Sequence, residues 1–253
     1  MARAVSFMAR YHRQELSLTE TLTLAVPETA MLMVDTYYDD QERGSWGDPA
    51  DPFVRHFQRM EEAIAVALAA GRRAGLPVLH AMNSAPRIAL ERSAFAAHYA
   101  RCWSKDGSLE TFNREFAEGG VDPREYHGGR ETPLKIPPRL APIAGEPYIR
   151  KHVYSAFFDS RLDTALRNLG IRTLVCAGLW ANVCLAATAL DALYRNYTVL
   201  WLRDGTLAGE TEASVATLDN TTRWITWFEE VIGYTVSSGE FAAACAGAGG
   251  GRS

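Results

Sequence analysis

No run of roughly eighteen apolar residues occurs in the chain, which excludes a membrane-spanning helix. No CxxC pair occurs either. The four cysteines, Cys102, Cys176, Cys184 and Cys245, are irregularly spaced, so neither a zinc ribbon nor a disulfide framework is expected. Basic runs are also missing. Against 30 Asp and Glu stand 26 scattered Lys and Arg, a net charge of −4, without the footprint of a nucleic-acid binder or a polybasic membrane anchor. The opening stretch MARAVSFMARYHRQELS mixes Arg, His and Glu into every short apolar run and lacks a signal-peptide core. The expectation is a cytoplasmic protein whose thiols are free.

What is present suits one ordinary domain: 253 residues, 47% apolar and 22% charged. Residues 30–35, AMLMVD, read as a buried parallel strand with Asp35 at its carboxyl end. Asp51-Pro52 is a helix start, and Phe53, Phe57, Met60, Ile64, Ala67 and Gly71 follow at helical spacing. Strands are expected at 77–82, 148–153, 173–178, 198–202 and near 231–236, with helices opening at a Ser160–Asp163 capping box and spanning 183–196 and roughly 210–226. Alternation of this kind predicts a single-domain three-layer α-β-α fold with a mostly parallel sheet of about six strands. Residues 1–27 read as an N-terminal extension and 28–240 as the domain. Within it, 84–147, part-helical over 88–103 and rich in Pro and Gly, reads as a lid or insert. The tail 241–253 has little to fold with and reads as disordered.

Ligands of open parallel sheets bind outside the carboxyl ends of the strands. Asp35, Lys151 and Cys184 all fall at that edge, although they are far apart in sequence. Cys184 stands at a helix start, where free N–H groups and the helix dipole are expected to lower its thiol pKa, as would a nearby ammonium from Lys151. Asp35 would take the thiol proton and return it to a leaving amine. Each residue alone has a plainer explanation: a core cysteine, a turn aspartate, a solvated lysine. Their joint placement is what points to chemistry. Cys176, mid-strand, reads as core. His80 and His152 read as packed, and Asp204 as structural.

The segment KHVYSAFFDSRLDTALRNLGIRTLVCAGLWANVC, together with MLMVDTYYDD, resembles the isochorismatase-like cysteine hydrolases, with three separated motifs in the family order. The resemblance covers most of 28–82 and 148–236. It implies a catalytic triad in which Asp35 is the acid–base, Lys151 the cation and Cys184, within GLWANVC, the nucleophile. It further implies a cis peptide at Leu179–Trp180 and an oxyanion hole made by the Trp180 and Cys184 N–H groups. Among branches the chain looks most like the ureidoacrylate and biuret amidohydrolases, through the run from Lys151 to Phe158. Substrate contacts are expected at Asn83, Tyr154, Phe157, Trp180 and Tyr37, with Asn83 equally readable as a turn residue and Tyr154 and Phe157 as core. A homo-oligomer, dimer or tetramer, is expected by analogy.

The chain departs from the family at two places. Thr36-Tyr37 replaces the usual Met-Gln, and Trp180-Ala181 the usual Ala-Thr. No histidine lies between Asp35 and Asp51, where a metal-binding branch places one, so neither metal nor cofactor is expected. The resulting expectation is an amidohydrolase that cleaves the C–N bond of a small amide, carbamoyl or ureido compound through a thioester. Two alternatives stay open: a vinyl-ether hydrolase of the isochorismatase type, without a covalent intermediate, and a non-catalytic scaffold.

Overall fold

The structure, a computed structural model, describes residues 3–39, 52–83, 94–103 and 134–249. Asp51 and most of the expected 84–147 lid lie outside these residues; of the lid, a helix at Ala94–Trp103 and the stretch from residue 134 onward are described.

Six strands form a parallel sheet. These are β3 (Thr29–Val34), β5 (Val78–Asn83), β7 (Tyr148–Lys151), β8 (Thr173–Leu179), β9 (Thr198–Leu207) and β10 (Tyr234–Val236). In chain order the described elements also include β1 (Ala4–Arg13), β2 (Leu16–Ala25), β4 (Tyr38–Asp39), α1 (Pro52–Ala74), α2 (Ala94–Trp103), β6 (Leu134–Lys135), α3 (Leu162–Asn168), α4 (Cys184–Tyr194), α5 (Asp219–Val231) and α6 (Ser238–Gly249). The main sheet runs β2-β1-β10-β9-β8-β3-β5-β7. It therefore has eight strands where about six were expected. The two additional strands are the N-terminal extension, which folds into an antiparallel hairpin against β10. Alternate residues Val5, Phe7 and Ala9 are buried, giving the period of two that one-sided burial requires.

Every residue of β3 is buried, and the strand divides its side chains between two cores. Met31 and Met33 face the layer of α1 and α6, while Ala30, Leu32 and Val34 face α3, α4 and Phe228 of α5. This is the near-continuous apolar composition expected of a parallel strand covered on both faces.

Several expectations need correction. The tail is a helix through Gly249, not a disordered end. Ser237 and Glu240 form a reciprocal capping box: the Glu240 N–H donates to Ser237 Oγ at 3.2 Å and the Ser237 N–H to Glu240 Oε2 at 3.0 Å. Phe241 and Cys245, four residues apart, are buried against the rest of the molecule. Asp204, expected to be structural, secures the same helix start by accepting from the Ser238 N–H and hydroxyl, both at 2.8 Å. The helix expected at 210–226 is instead α5. Residues before it form turns, and the Glu210 carboxylate accepts from the Thr221 N–H at 2.7 Å, closing the helix start from outside. Ser160 and Asp163 do not form a reciprocal box. Ser160 Oγ accepts from the Leu162 N–H, while Asp163 bonds Arg167 and Tyr197. Finally, β9 does not end at Leu202. It passes an irregularity and pairs again with β8, Thr206 against Gly178.

β3 and β8 are neighbours, with β5 and β7 extending to one side and β9 and β10 to the other. The two strands are parallel, but the order in which strands are added reverses between them, the switch point where such sheets open a ligand crevice at their carboxyl ends. The two strands come close enough that a Cβ on Gly178, at φ +118°, would lie 1.9 Å from the Val34 carbonyl oxygen. Only glycine fits that position.

Candidate active site

Asp35 is the first residue beyond β3. It adopts a left-handed conformation at φ 49°, which aspartate tolerates better than most residues. Its N–H donates to the Ala81 carbonyl at 2.9 Å, and its Oδ1 accepts from the Asn83 N–H at 3.0 Å. Lys151 is the last residue of β7 and is fully buried. Strand register sets Asn83 directly beside it. The Lys151 ammonium lies 2.9 Å from Asp35 Oδ2 and 3.4 Å from Cys184 Sγ. It also donates to the Val153 carbonyl at 3.1 Å and to Asn83 Oδ1. Cys184 is the first residue of α4 and is 6% exposed. Carboxylate, ammonium and thiol thus meet at the crevice between β3 and β8.

The loop that delivers Cys184 is tied down from β9. The Ala181 N–H donates to the Leu207 carbonyl at 2.8 Å, and the Gly209 N–H to Asn182 Oδ1 at 3.1 Å. The asparagine of the Gly-x-x-x-Asn-x-Cys pattern therefore shapes the turn. The Leu179–Trp180 peptide is cis. Among the described residues, neither the Trp180 nor the Cys184 N–H meets a backbone acceptor outside the regular elements.

The electrostatics depart from expectation at the sulfur. A helix start and an ammonium were expected to lower the thiol pKa. Burial instead dominates and pushes it up to about 12, with Asp35 adding to the rise and Lys151 opposing it. Burial also raises the Asp35 carboxyl above its ordinary range, against the pull of Lys151. Burial works against the charge on Lys151, but Asp35 and Cys184 together carry its pKa above the ordinary lysine value. The sulfur is therefore a thiol beside a firmly held ammonium.

The residues expected to touch substrate separate into groups. Tyr37 and Asn83 join the trio, the Asn83 Nδ2 donating to the Tyr37 hydroxyl. The Trp180 ring stacks on Phe53 of α1, with centroids 5.7 Å apart and planes 9° apart, and meets the edge of Phe57 at 5.5 Å. Tyr154 packs against Phe95 of α2 and borders a cleft of about 500 Å³ that Asn182, Val183, Trp224 and Trp227 also line. Phe157 does not belong with them. It is 5% exposed, lies against Tyr197 and carries the Arg195 guanidinium over its ring, beyond the far end of α4 from Cys184. Its neighbours in sequence left pocket wall and core both open; its neighbours in space make it core.

His80 and His152 are buried, as expected, and His80 Nε2 meets Glu146 at 2.8 Å. Cys176 is buried mid-strand. Sequence reasoning missed the bond between Asn83 and Lys151. It rests on the adjacency of β5 and β7, for which no local pattern exists. Phe53 and Phe57 were read only as the apolar face of α1, which gave no sign that they hold Trp180.

The chain matches the isochorismatase domain family over residues 30–232. It is 31% identical over 233 residues to the ureidoacrylate amidohydrolase RutB of Stutzerimonas stutzeri, covering 89% of this chain and 87% of that protein. The RutB of Azorhizobium caulinodans is 29% identical over 220 residues, covering 84% and 91%. Among solved structures, a cysteine hydrolase from Pseudomonas syringae pv. phaseolicola superposes with a TM-score of 0.67 at 19% identity, covering 89% of this chain and 95% of that one. An N-carbamoylsarcosine amidase from Thermoplasma acidophilum does so with a TM-score of 0.56 at 23% identity, covering 83% and 96%. These two likenesses speak to the fold.

Proposed function

We propose that this chain, which belongs to the isochorismatase family of hydrolases, cleaves the C–N bond of a small ureido or carbamoyl compound with Cys184 as nucleophile. The observation that carries this reading is the ammonium of Lys151 standing 2.9 Å from Asp35 and 3.4 Å from Cys184 Sγ. The choice of substrate class draws on the relatives named ureidoacrylate amidohydrolase.

Because burial holds the sulfur as a thiol, its proton must leave during attack and not before. Asp35 is the acceptor within reach. As the S–C bond forms, the S–H proton passes to the Asp35 carboxylate, and the Trp180 and Cys184 N–H groups receive the developing oxyanion. Asp35 then gives that proton to the leaving nitrogen as the C–N bond breaks. Water adds to the thioester with Asp35 as base, and the thiol regains its proton as the product acid leaves. Its raised pKa makes Asp35 a stronger proton acceptor than an exposed carboxylate. Lys151 stays charged throughout and offsets the negative charge that moves between carboxylate and sulfur.

Ammonia release from ureidoacrylate, with mass spectrometry for an acyl adduct on Cys184, tests the reading. Cys184→Ala is expected to abolish turnover while the protein remains folded. Full activity in that variant would overturn the assignment, and turnover without any adduct on rapid quenching would count against the thioester.

A further inference from the structure

We infer that Asn83 is a positioning residue, whose side chain holds the Lys151 ammonium between Asp35 and the Cys184 thiol. The inference rests on the reading of Cys184 as nucleophile, and it gives Asn83 a different task from the substrate contact expected of it.

Lys151 Nζ has three protons and four acceptors around it: Asp35 Oδ2 at 2.9 Å, the Val153 carbonyl at 3.1 Å, Cys184 Sγ at 3.4 Å and Asn83 Oδ1. Sulfur is the weakest acceptor of the four and lies farther off than the Asp35 and Val153 oxygens. In a buried site an unrestrained ammonium is drawn to the carboxylate, where the Coulomb attraction is greatest. At 2.9 Å it already makes that contact, and the two neutral oxygens of Asn83 and Val153 fix where it stands about the carboxylate, on the side from which it also reaches the sulfur.

The Asn83 amide is itself oriented. Its Nδ2 donates to the Tyr37 hydroxyl, which leaves Oδ1 turned toward Lys151. Its backbone N–H reaches Asp35 Oδ1 at 3.0 Å, so one residue grips both members of the ion pair. The register pair Asn83–Lys151 across β5 and β7 makes the arrangement rigid. Among the described residues, the other titratable groups facing the trio are Tyr37, beyond β3, and Tyr148 of β7; burial and then Asp35 push the Tyr148 phenol up to about 12, so it stays neutral.

Removing Oδ1 should let the ammonium swing about its Asp35 contact and withdraw from the sulfur. The thiolate then loses part of its stabilisation. Well below the thiol pKa, alkylation rate falls tenfold for each unit that the pKa rises, so a rise of half a unit slows alkylation about threefold at every pH. The test is iodoacetamide labelling of Cys184 without substrate, followed by peptide mass spectrometry between pH 7 and 9, alongside kcat and KM on ureidoacrylate. Asn83→Ala is expected to slow labelling at least about threefold and to lower kcat about tenfold or more, the size of a hydrogen bond to a charged group, with KM changed little. Tyr37→Phe, which frees the amide but removes no partner of Lys151, should move both in the same direction by less, and it carries the test should Asn83→Ala fail to fold. Unchanged labelling in the folded variants, with the loss confined to KM, would overturn the inference and leave Asn83 a substrate contact. Failure of the underlying reading would appear differently, as turnover that survives Cys184→Ala.

Discussion

Asp35 raises the Cys184 thiol pKa both through its charge and through a hydrogen bond. Removing the charge should therefore lower that pKa from about 12, even as it removes the group that accepts the proton. Asp35→Asn is thus expected to label faster with iodoacetamide at pH 8 and to hydrolyse nothing. Labelling at the wild-type rate or slower would contradict this electrostatic account. The same residue shows how far chemistry was legible from sequence. Asp35, Lys151 and Cys184 could be picked out because strand ends and a helix start mark a sheet edge. The sign of the thiol's shift could not. It turns on how completely the sulfur is buried, and the helix-start argument counts only the terms that favour ionisation.

Among the elements, α6 was the least legible, since its alanines and glycines carry little hydrophobic signal. Its start is nevertheless written in the chain as Ser237-Ser238-Gly239-Glu240. The Ser237 hydroxyl, followed by its N–H and by Arg203, holds the Glu240 carboxyl down to about 2 from an ordinary 4.5. A carboxyl pKa lowered by folding stabilises the fold above the unfolded value and loses that contribution as pH falls through the folded one. The contribution of Glu240 is therefore complete above about pH 4.5 and lost toward about pH 2, and it is modest because the side chain is half exposed. Ser237→Ala is expected to cost about 1 kcal/mol. Its thermal midpoint should fall by roughly 2–4 °C, and less of its stability should vanish between pH 4.5 and 2. Hydrolysis should be unchanged. A midpoint equal to wild type would show that packing of Phe241 and Cys245 alone holds the helix.

For the whole molecule, the N-terminal hairpin is attached more by side chains than by its ladder. A single register pair, Arg10 with Thr235, joins β1 to β10. The buried Glu229 carboxylate supplies the clasp, with Arg10 Nε at 2.7 Å, His12 Nδ1 at 2.5 Å and the Thr235 hydroxyl. Glu229→Ala leaves two basic side chains without that acceptor, and each hydrogen bond to a charged group contributes about 1.5–3 kcal/mol. Faster amide exchange over residues 4–25 is expected, with the six parallel strands and the rate of hydrolysis retained. Exchange that rises equally across β3 and β8 would mean that the hairpin and the domain unfold as one unit.

By itself the sequence determined the layered α/β class, the central strands and the identity of the three residues at the crevice. Those follow from local periodicity and from the rule that strand ends carry function. The tertiary structure alone decided that residues 4–25 extend the sheet, that Phe157 is core, that Asn83 stands against Lys151 and that the sulfur rests protonated. Each of these depends on which distant segment fills the space beside a residue, and neither period nor spacing along the chain encodes that.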